Sequence, residues 1–456
     1  MSATPRQAPK IVAGRRYKAS RFNVMRTFGT KTVMGNSLSG AVATLDSEET
    51  AVARSAMKGT LLDERSPAVV MDLIENGFLV DAGANELSRV HTLHGVLNDQ
   101  HGLGLIIMPT EDCNFRCIYC YESFAKKAMK QPVREGVKAL LDDRVPRLDS
   151  LDIGWFGGEP LFAFDVMREL GEHAMALCER YGTQLSSHIT TNAYMLDPVK
   201  SDFLVSMNTR SFQITVDGDR VTHNRSRHLN GGGDTFDMIW RNLLHLQSMD
   251  AMFNVTVRVN VDEKNHGGAV NLIQMFTDQF RSDPRFTIDF HNIWNRNDTA
   301  SDDVVPFDGH QAVTELKLLA LSKNAERDCV GFKALGPGAR YCYASKANSL
   351  VIGSDGSLYK CTVAFDDPRN LVGKVHPDGT LEIDDDLFAL WTANDYRSDP
   401  GCQKCYYVPS CLGASCPLVR IESGRQPCPP DKVHVNDTLR VYDALSRNTE
   451  PKTQAV

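Results

Sequence analysis

Nowhere does the sequence carry the roughly 20 consecutive apolar residues that a bilayer-spanning helix requires, so no membrane partner is expected. Residues 1–20 contain Arg6, Lys10, Arg15, Arg16 and Lys18 and lack the apolar centre of a secretory signal. Export is therefore not expected, and a cytoplasmic location is. This basic segment reads as a solvated terminus, with capture of an acidic peptide as the sharper alternative. Charge of one sign is not in large excess: 50 Lys and Arg face 57 Asp and Glu, a net charge of −7. A mildly acidic chain is a poor general partner for phosphate backbones, so nucleic acid is not expected. A dinucleotide fingerprint is missing as well, because Gly102-Leu103-Gly104 lacks both a third glycine and a following helix. Gly231-Gly232-Gly233 reads as a flexible loop, and no internal repeat is present. With 42% hydrophobic and 23% charged residues, the 456-residue chain is of ordinary globular composition, sized for two or three domains.

What the sequence does hold is 12 cysteines. In a reducing compartment, clustered thiols point to metal or catalysis rather than disulfides. Cys113, Cys117 and Cys120 form a tight group, and Cys342, Cys361, Cys402, Cys405, Cys411, Cys416 and Cys428 form a second. Cys329 stands apart, as does Cys178, which lies in a helical pattern and reads as a core thiol.

Four segments are expected. In residues 1–100, Asp46-Ser47-Glu48-Glu49 predicts a helix start, Pro67 opens a second helix, and Phe78–Val80 reads as a strand. Helix, turn, helix, strand is compatible with a small winged-helix-like unit, or with a plain packing appendage. From 101 to 325, apolar strand runs alternate with helical patterns. That alternation predicts an α/β fold, a parallel sheet forming an open partial barrel of six βα units. In such folds reactive groups gather at the C-terminal ends of the strands. There fall Cys113–Cys120, after the first strand, and Gly157-Gly158-Glu159-Pro160, after the second. From 326 to 435 glycine, proline, cysteine and tyrosine rise, as in a small domain held together by metal. Residues 436–456 read as a tail with a weakly apolar start.

Cys113, Cys117 and Cys120 have the spacing C-x3-C-x2-C. Three thiolates can hold three corners of a cubane iron–sulfur cluster and leave one iron open; a three-cysteine zinc site completed by a distant histidine is the competing reading. Residues 103–300 resemble the radical S-adenosylmethionine (SAM) superfamily. The motifs, in order, are the cysteine group with Tyr119 before its last member, Gly157-Gly158-Glu159-Pro160, Thr190-Thr191-Asn192, and Thr215-Val216-Asp217-Gly218 followed by His223-Asn224 and Arg227. The resemblance implies that SAM chelates the open iron of a 4Fe-4S cluster, and that the Gly157–Glu159 segment holds its methionine amine. It implies that Tyr119 lines the adenine site, with Asn192, Thr215 and Arg227 as contacts to ribose or carboxylate. Reductive cleavage of SAM would then give a 5′-deoxyadenosyl radical that abstracts hydrogen, with a flavodoxin or ferredoxin as the implied reductant.

The C-terminal cysteines resemble the SPASM extension of peptide-modifying radical SAM enzymes. That resemblance implies two auxiliary 4Fe-4S clusters, three clusters in all. Cys402, Cys405, Cys411 and Cys428 would hold one, and Cys342, Cys361 and Cys416 the other, with Cys329 as an extra donor or an iron left open. The Cys411–Cys416 spacing is one residue longer than usual. A zinc ribbon, in a non-enzymatic binding protein, is the alternative from another class.

Such an extension implies a peptide or protein substrate. The favoured expectation is a maturase that cross-links side chains of a ribosomal precursor peptide, through a thioether or a carbon–carbon bond. The first 100 residues would bind the peptide's leader by strand addition. An anaerobic sulfatase-maturating enzyme is the alternative. Those enzymes usually place Asp after the cysteine that Cys361 matches, and Thr362 stands there.

Overall fold

The computed structural model describes residues 14–61, 66–99, 101–293, 309–325, 334–393 and 396–449; Arg6, Lys10 and Cys329 lie outside them. The chain gathers into two compact units. One joins residues 1–98, 330–345 and 393–456, and the other joins 99–329 with 346–392.

The larger unit is built on six parallel strands: β1 (Gly102–Ile107), β2 (Ser150–Trp155), β3 (Gln184–Thr191), β4 (Thr209–Thr215), β5 (Asn254–Val261) and β6 (Phe286–Asn292). They neighbour one another in chain order, every pair parallel, which is the expected open α/β sheet of βα units. Helices α1 (Gln131–Arg144), α2 (Phe164–Tyr181), α3 (Pro198–Ser206), α4 (Phe236–Ser248) and α5 (His266–Phe280) connect them. The helix ends follow local chemistry. Asp197 caps α3 by accepting the Lys200 amide hydrogen, with Pro198 at the first position, and Gly182 ends α2 at φ 72°.

β5 shows how one sequence makes two surfaces. Its side chains alternate: Val255, Val257, Val259 and Val261 are buried, while Arg258 and Asn260 share the opposite face and bond to each other through Arg258 Nε and Asn260 Oδ1 (2.9 Å). The sheet does not stop at β1. Strand Ser349–Ile352 pairs parallel with it, and three short antiparallel strands extend the sheet to ten. These strands went unread because they are short and lie among glycines and cysteines.

In the other unit, helix Ser47–Ala56 carries the anticipated capping box between Asp46 and Glu49, and Ala68–Glu75 and Leu79–Asp81 are the anticipated second helix and strand. Strands Asn23–Phe28, Lys31–Asn36 and Val42–Leu45 form a meander that sequence reading missed. One core cluster holds Tyr17, Met34, Leu45, Leu73 and Phe78. Two others mix distant segments: Phe22 and Val90 pack with Val408 and Leu412, and Val24 and Val33 with Tyr407 and Leu439. Among the described residues, no helix is long and apolar enough to cross a membrane.

Candidate cofactor site

Cys113, Cys117 and Cys120 line one cavity at the C-terminal ends of β1–β4, together with Tyr119, Gly157, Gly158, Asn192, Thr215 and Arg227. The thiol-bearing loop is fixed by main chain from two sides. Its Phe115–Cys117 segment forms an antiparallel ladder with Arg227–Leu229, in which Cys117 is opposite Arg227. The loop after β2 docks on the other side: Gly158 N–H donates to Thr110 O (3.3 Å) and Glu159 N–H to Asp112 O (3.0 Å).

That docking explains the two glycines. Gly157 sits at φ 122°, where a Cβ would lie 2.2 Å from Thr110 O. A Cβ on Gly158 would lie 2.4 Å from Asp112 O. Only residues without side chains allow two backbones this close. Glu159 is buried, and its carboxylate accepts from Thr191 Oγ1 (2.7 Å), Asn192 N (2.7 Å) and Leu161 N (3.1 Å). It braces the end of β3. Burial raises its pKa above the ordinary carboxylate value, against these three donors. Asn192 passes the brace on, donating from Nδ2 to Asn114 Oδ1 (2.8 Å) inside the cysteine loop.

Arg227 is almost fully buried, donates from Nη1 to Tyr119 Oη (2.7 Å), and leaves a buried Nε with no hydrogen-bond partner among the described residues. Tyr119 Oη also donates to Asp217 and accepts from Asn260 Nδ2 (3.1 Å). Asp217 and Asn260 are site residues that sequence reading did not single out. Asp217 lay inside a quoted motif; the signal for Asn260 was the polar face of β5. Burial pushes the Cys120 thiol up to about 12 and raises those of Cys113 and Cys117 too.

The donor set suits a cubane cluster with one open iron. Three soft thiols converge on the cavity, no histidine is among the described residues lining it, and a guanidinium flanks Cys117 to offset cluster charge. A Cys3His zinc site finds no imidazole there.

In the other unit, Cys402 is within electrostatic reach of Cys405 and Cys411, and Cys411 of Cys405 and Cys428. Asp399 accepts the Cys402 amide hydrogen (2.7 Å), Tyr407 N–H donates to Cys405 Sγ (3.3 Å), and Lys432 Nζ donates to Cys428 Sγ (3.0 Å). Cys342 and Cys416 belong to this unit, and Cys361 to the larger one. Cys361 is anchored there by Asn370, whose side chain bonds its amide (2.9 Å) and its carbonyl (2.8 Å). Cys178 is a buried thiol of α2, raised to about 11 by burial.

A solved structure described as native anSMEcpe with bound AdoMet is 18% identical and covers 76% of this chain and 96% of its own, with a TM-score of 0.54. The same protein with AdoMet and Cp18Cys peptide gives the same identity and coverage and a TM-score of 0.53. At that identity the likeness establishes the fold. An uncharacterized protein of Methanocaldococcus jannaschii is 24% identical over 155 residues, which are 34% of this chain and 52% of that protein, so the match spans about half the length of that curated relative. The profile of the Radical SAM superfamily matches residues 107–261, from the end of β1 to the end of β5. Those residues include the three thiols, the glycine loop, Asp217, Arg227 and Asn260, so the site lies within the segment that matches this family and the chain carries a radical SAM domain.

Proposed function

We propose that this chain is a radical SAM enzyme that modifies a peptide, forming a side-chain cross-link in a ribosomally made precursor. The observation that carries the radical step is the convergence of Cys113, Cys117 and Cys120 with Tyr119 and Arg227 on one cavity. Bound there, a 4Fe-4S cluster and SAM supply a 5′-deoxyadenosyl radical able to take hydrogen from the substrate. The residues do the rest. The three cysteines hold the cluster. Arg227, with its free buried Nε, meets the SAM carboxylate, and Asn192 and Thr215 meet carboxylate or ribose. Tyr119 walls the adenine, and the Gly157–Glu159 turn shapes the methionine end.

The peptide substrate is supported by a neighbour of the same fold described with bound AdoMet and a peptide. The four thiols of Cys402, Cys405, Cys411 and Cys428 would hold one auxiliary cluster, and Cys342, Cys361 and Cys416 the other. The first 100 residues would receive the peptide's leader. A flavodoxin or ferredoxin would deliver electrons in a cytoplasmic setting. Thr362, a hydroxyl with no basicity near neutral pH, weighs against formylglycine formation.

The test is anaerobic reconstitution with iron and sulfide, then dithionite and SAM. Release of 5′-deoxyadenosine and methionine is expected; a colourless zinc protein that cleaves no SAM would overturn the proposal. A short precursor gene adjacent to this one supports cross-linking, and an adjacent sulfatase gene supports formylglycine chemistry instead.

A further inference from the structure

We infer that Asp217 and Asn260 are positioning residues that lock the Tyr119 ring against the cofactor cavity; this rests on the SAM site proposed above. A phenol has one proton to give and two lone pairs to receive. All three are used: Tyr119 Oη donates to Asp217, accepts from Arg227 Nη1 (2.7 Å) and accepts from Asn260 Nδ2 (3.1 Å). The hydroxyl end is thus tied to the ends of β4 and β5 and to the strand that pairs with Cys117, while the ring lines the cavity.

The two outer partners are themselves held. Asp217 is fully buried, and its second oxygen accepts the Asn260 amide hydrogen (2.9 Å). Asn260 Oδ1 accepts from Arg258 Nε (2.9 Å), and the Asn260 carbonyl accepts from Asn265 Nδ2 (2.7 Å). Asp217 and Asn260 therefore each have a second anchor, so the ring is braced before any ligand arrives. Tyr119 directly precedes Cys120, so that orientation is set in register with the thiol loop. A flat apolar face held still at the wall of a polar cavity is a receptor for a purine, and pre-ordering it removes an entropic penalty from binding. Asp217 and Arg227 also balance each other's buried charge beside the hydroxyl, which keeps the guanidinium close to Cys117.

The test uses anaerobically reconstituted holoenzyme and SAM itself. Asp217→Asn keeps the size of the side chain and removes its charge; Tyr119→Phe keeps the ring and removes the hydroxyl. Expected for both are wild-type iron content, a KM for SAM in peptide-free 5′-deoxyadenosine formation raised about tenfold, and a smaller change in kcat. The electron paramagnetic resonance shift that SAM induces in the reduced cluster should require correspondingly more SAM. The double variant should be little worse than either single one, since both break the same contact. Wild-type KM and wild-type spectral titration in Tyr119→Phe would overturn the inference. A wild-type protein that holds iron but neither binds nor cleaves SAM would overturn the site assignment itself, and the inference with it.

Discussion

Cys117 and Arg227 are opposite each other in a short antiparallel ladder, so the middle thiol of the C-x3-C-x2-C loop and the arginine that faces it are registered through main chain. The ladder itself should therefore survive side-chain changes at 227. Arg227→Leu is expected to retain iron and to lose SAM affinity about tenfold or more, the usual effect of removing a charge-assisted contact. Equilibrium binding of SAM and iron analysis of the same sample check this.

Replacing Cys113, Cys117 and Cys120 together by Ala should abolish 5′-deoxyadenosine formation while iron bound elsewhere in the chain remains. Mass spectrometric assay of the nucleoside with parallel iron counting decides it; retained cleavage would contradict the ligand assignment.

Gly158→Ala should act on the site through main-chain crowding. The added Cβ would lie 2.4 Å from Asp112 O and 2.7 Å from Glu111 O, main-chain atoms that cannot swing aside. A cost of about 2 kcal/mol or more is expected, with reduced iron uptake at the three-thiol site. Gly182→Ala is the comparison: nothing lies within 4 Å of its Cβ position, so only the φ of 72° is strained, at about 1 kcal/mol. Urea unfolding and iron content separate the two.

Cys402→Ala with Cys405→Ala should lower iron per chain and destabilise the unit that holds them, since both thiols pack against the core cluster of Phe22, Val90 and Val408. If the proposed cluster is held there, Lys432→Met should keep the iron yet shift its potential downward, because the ammonium 3.0 Å from Cys428 Sγ favours the reduced, more negative form. Redox titration followed by magnetic resonance measures it.

Asp289 on β6 titrates in acid. Burial raises its pKa, but the hydrogen bond from His291 Nε2 (2.8 Å) and the Lys317 ammonium (3.1 Å) outweigh burial and hold the carboxyl well below its usual range. Its stabilising contribution is thus complete above an unfolded value of about 3.9 and fades as pH falls through the folded one. Asp289→Asn should cost about 2 kcal/mol or more at pH ~7, and the gap from wild type should begin to narrow below pH ~4 and close only as pH falls through the folded value. Urea unfolding across that range tests the sign.

Much of the larger unit was legible because its signals are local. Valines at every second position of β5 announce a strand, and C-x3-C-x2-C announces a metal loop whatever the fold. The glycine motif was legible as a close approach, but its partner was not: the backbone it meets, Thr110 to Asp112, lies beyond any local pattern. Asn260 escaped notice for the same reason, since its role depends on a tyrosine contributed by the loop after β1. The meander over residues 23–45 was missed because its strands are short and half polar, and Val24 and Val33 are buried by residues hundreds of positions away.

That last arrangement constrains the order of synthesis. Phe22 and Val33 cannot complete their packing until Val408, Leu412, Tyr407 and Leu439 follow, hundreds of codons later. The six-stranded sheet can close meanwhile. Until then Phe22 and Val33 need shielding, and the thiols at 402–428 are made after that sheet.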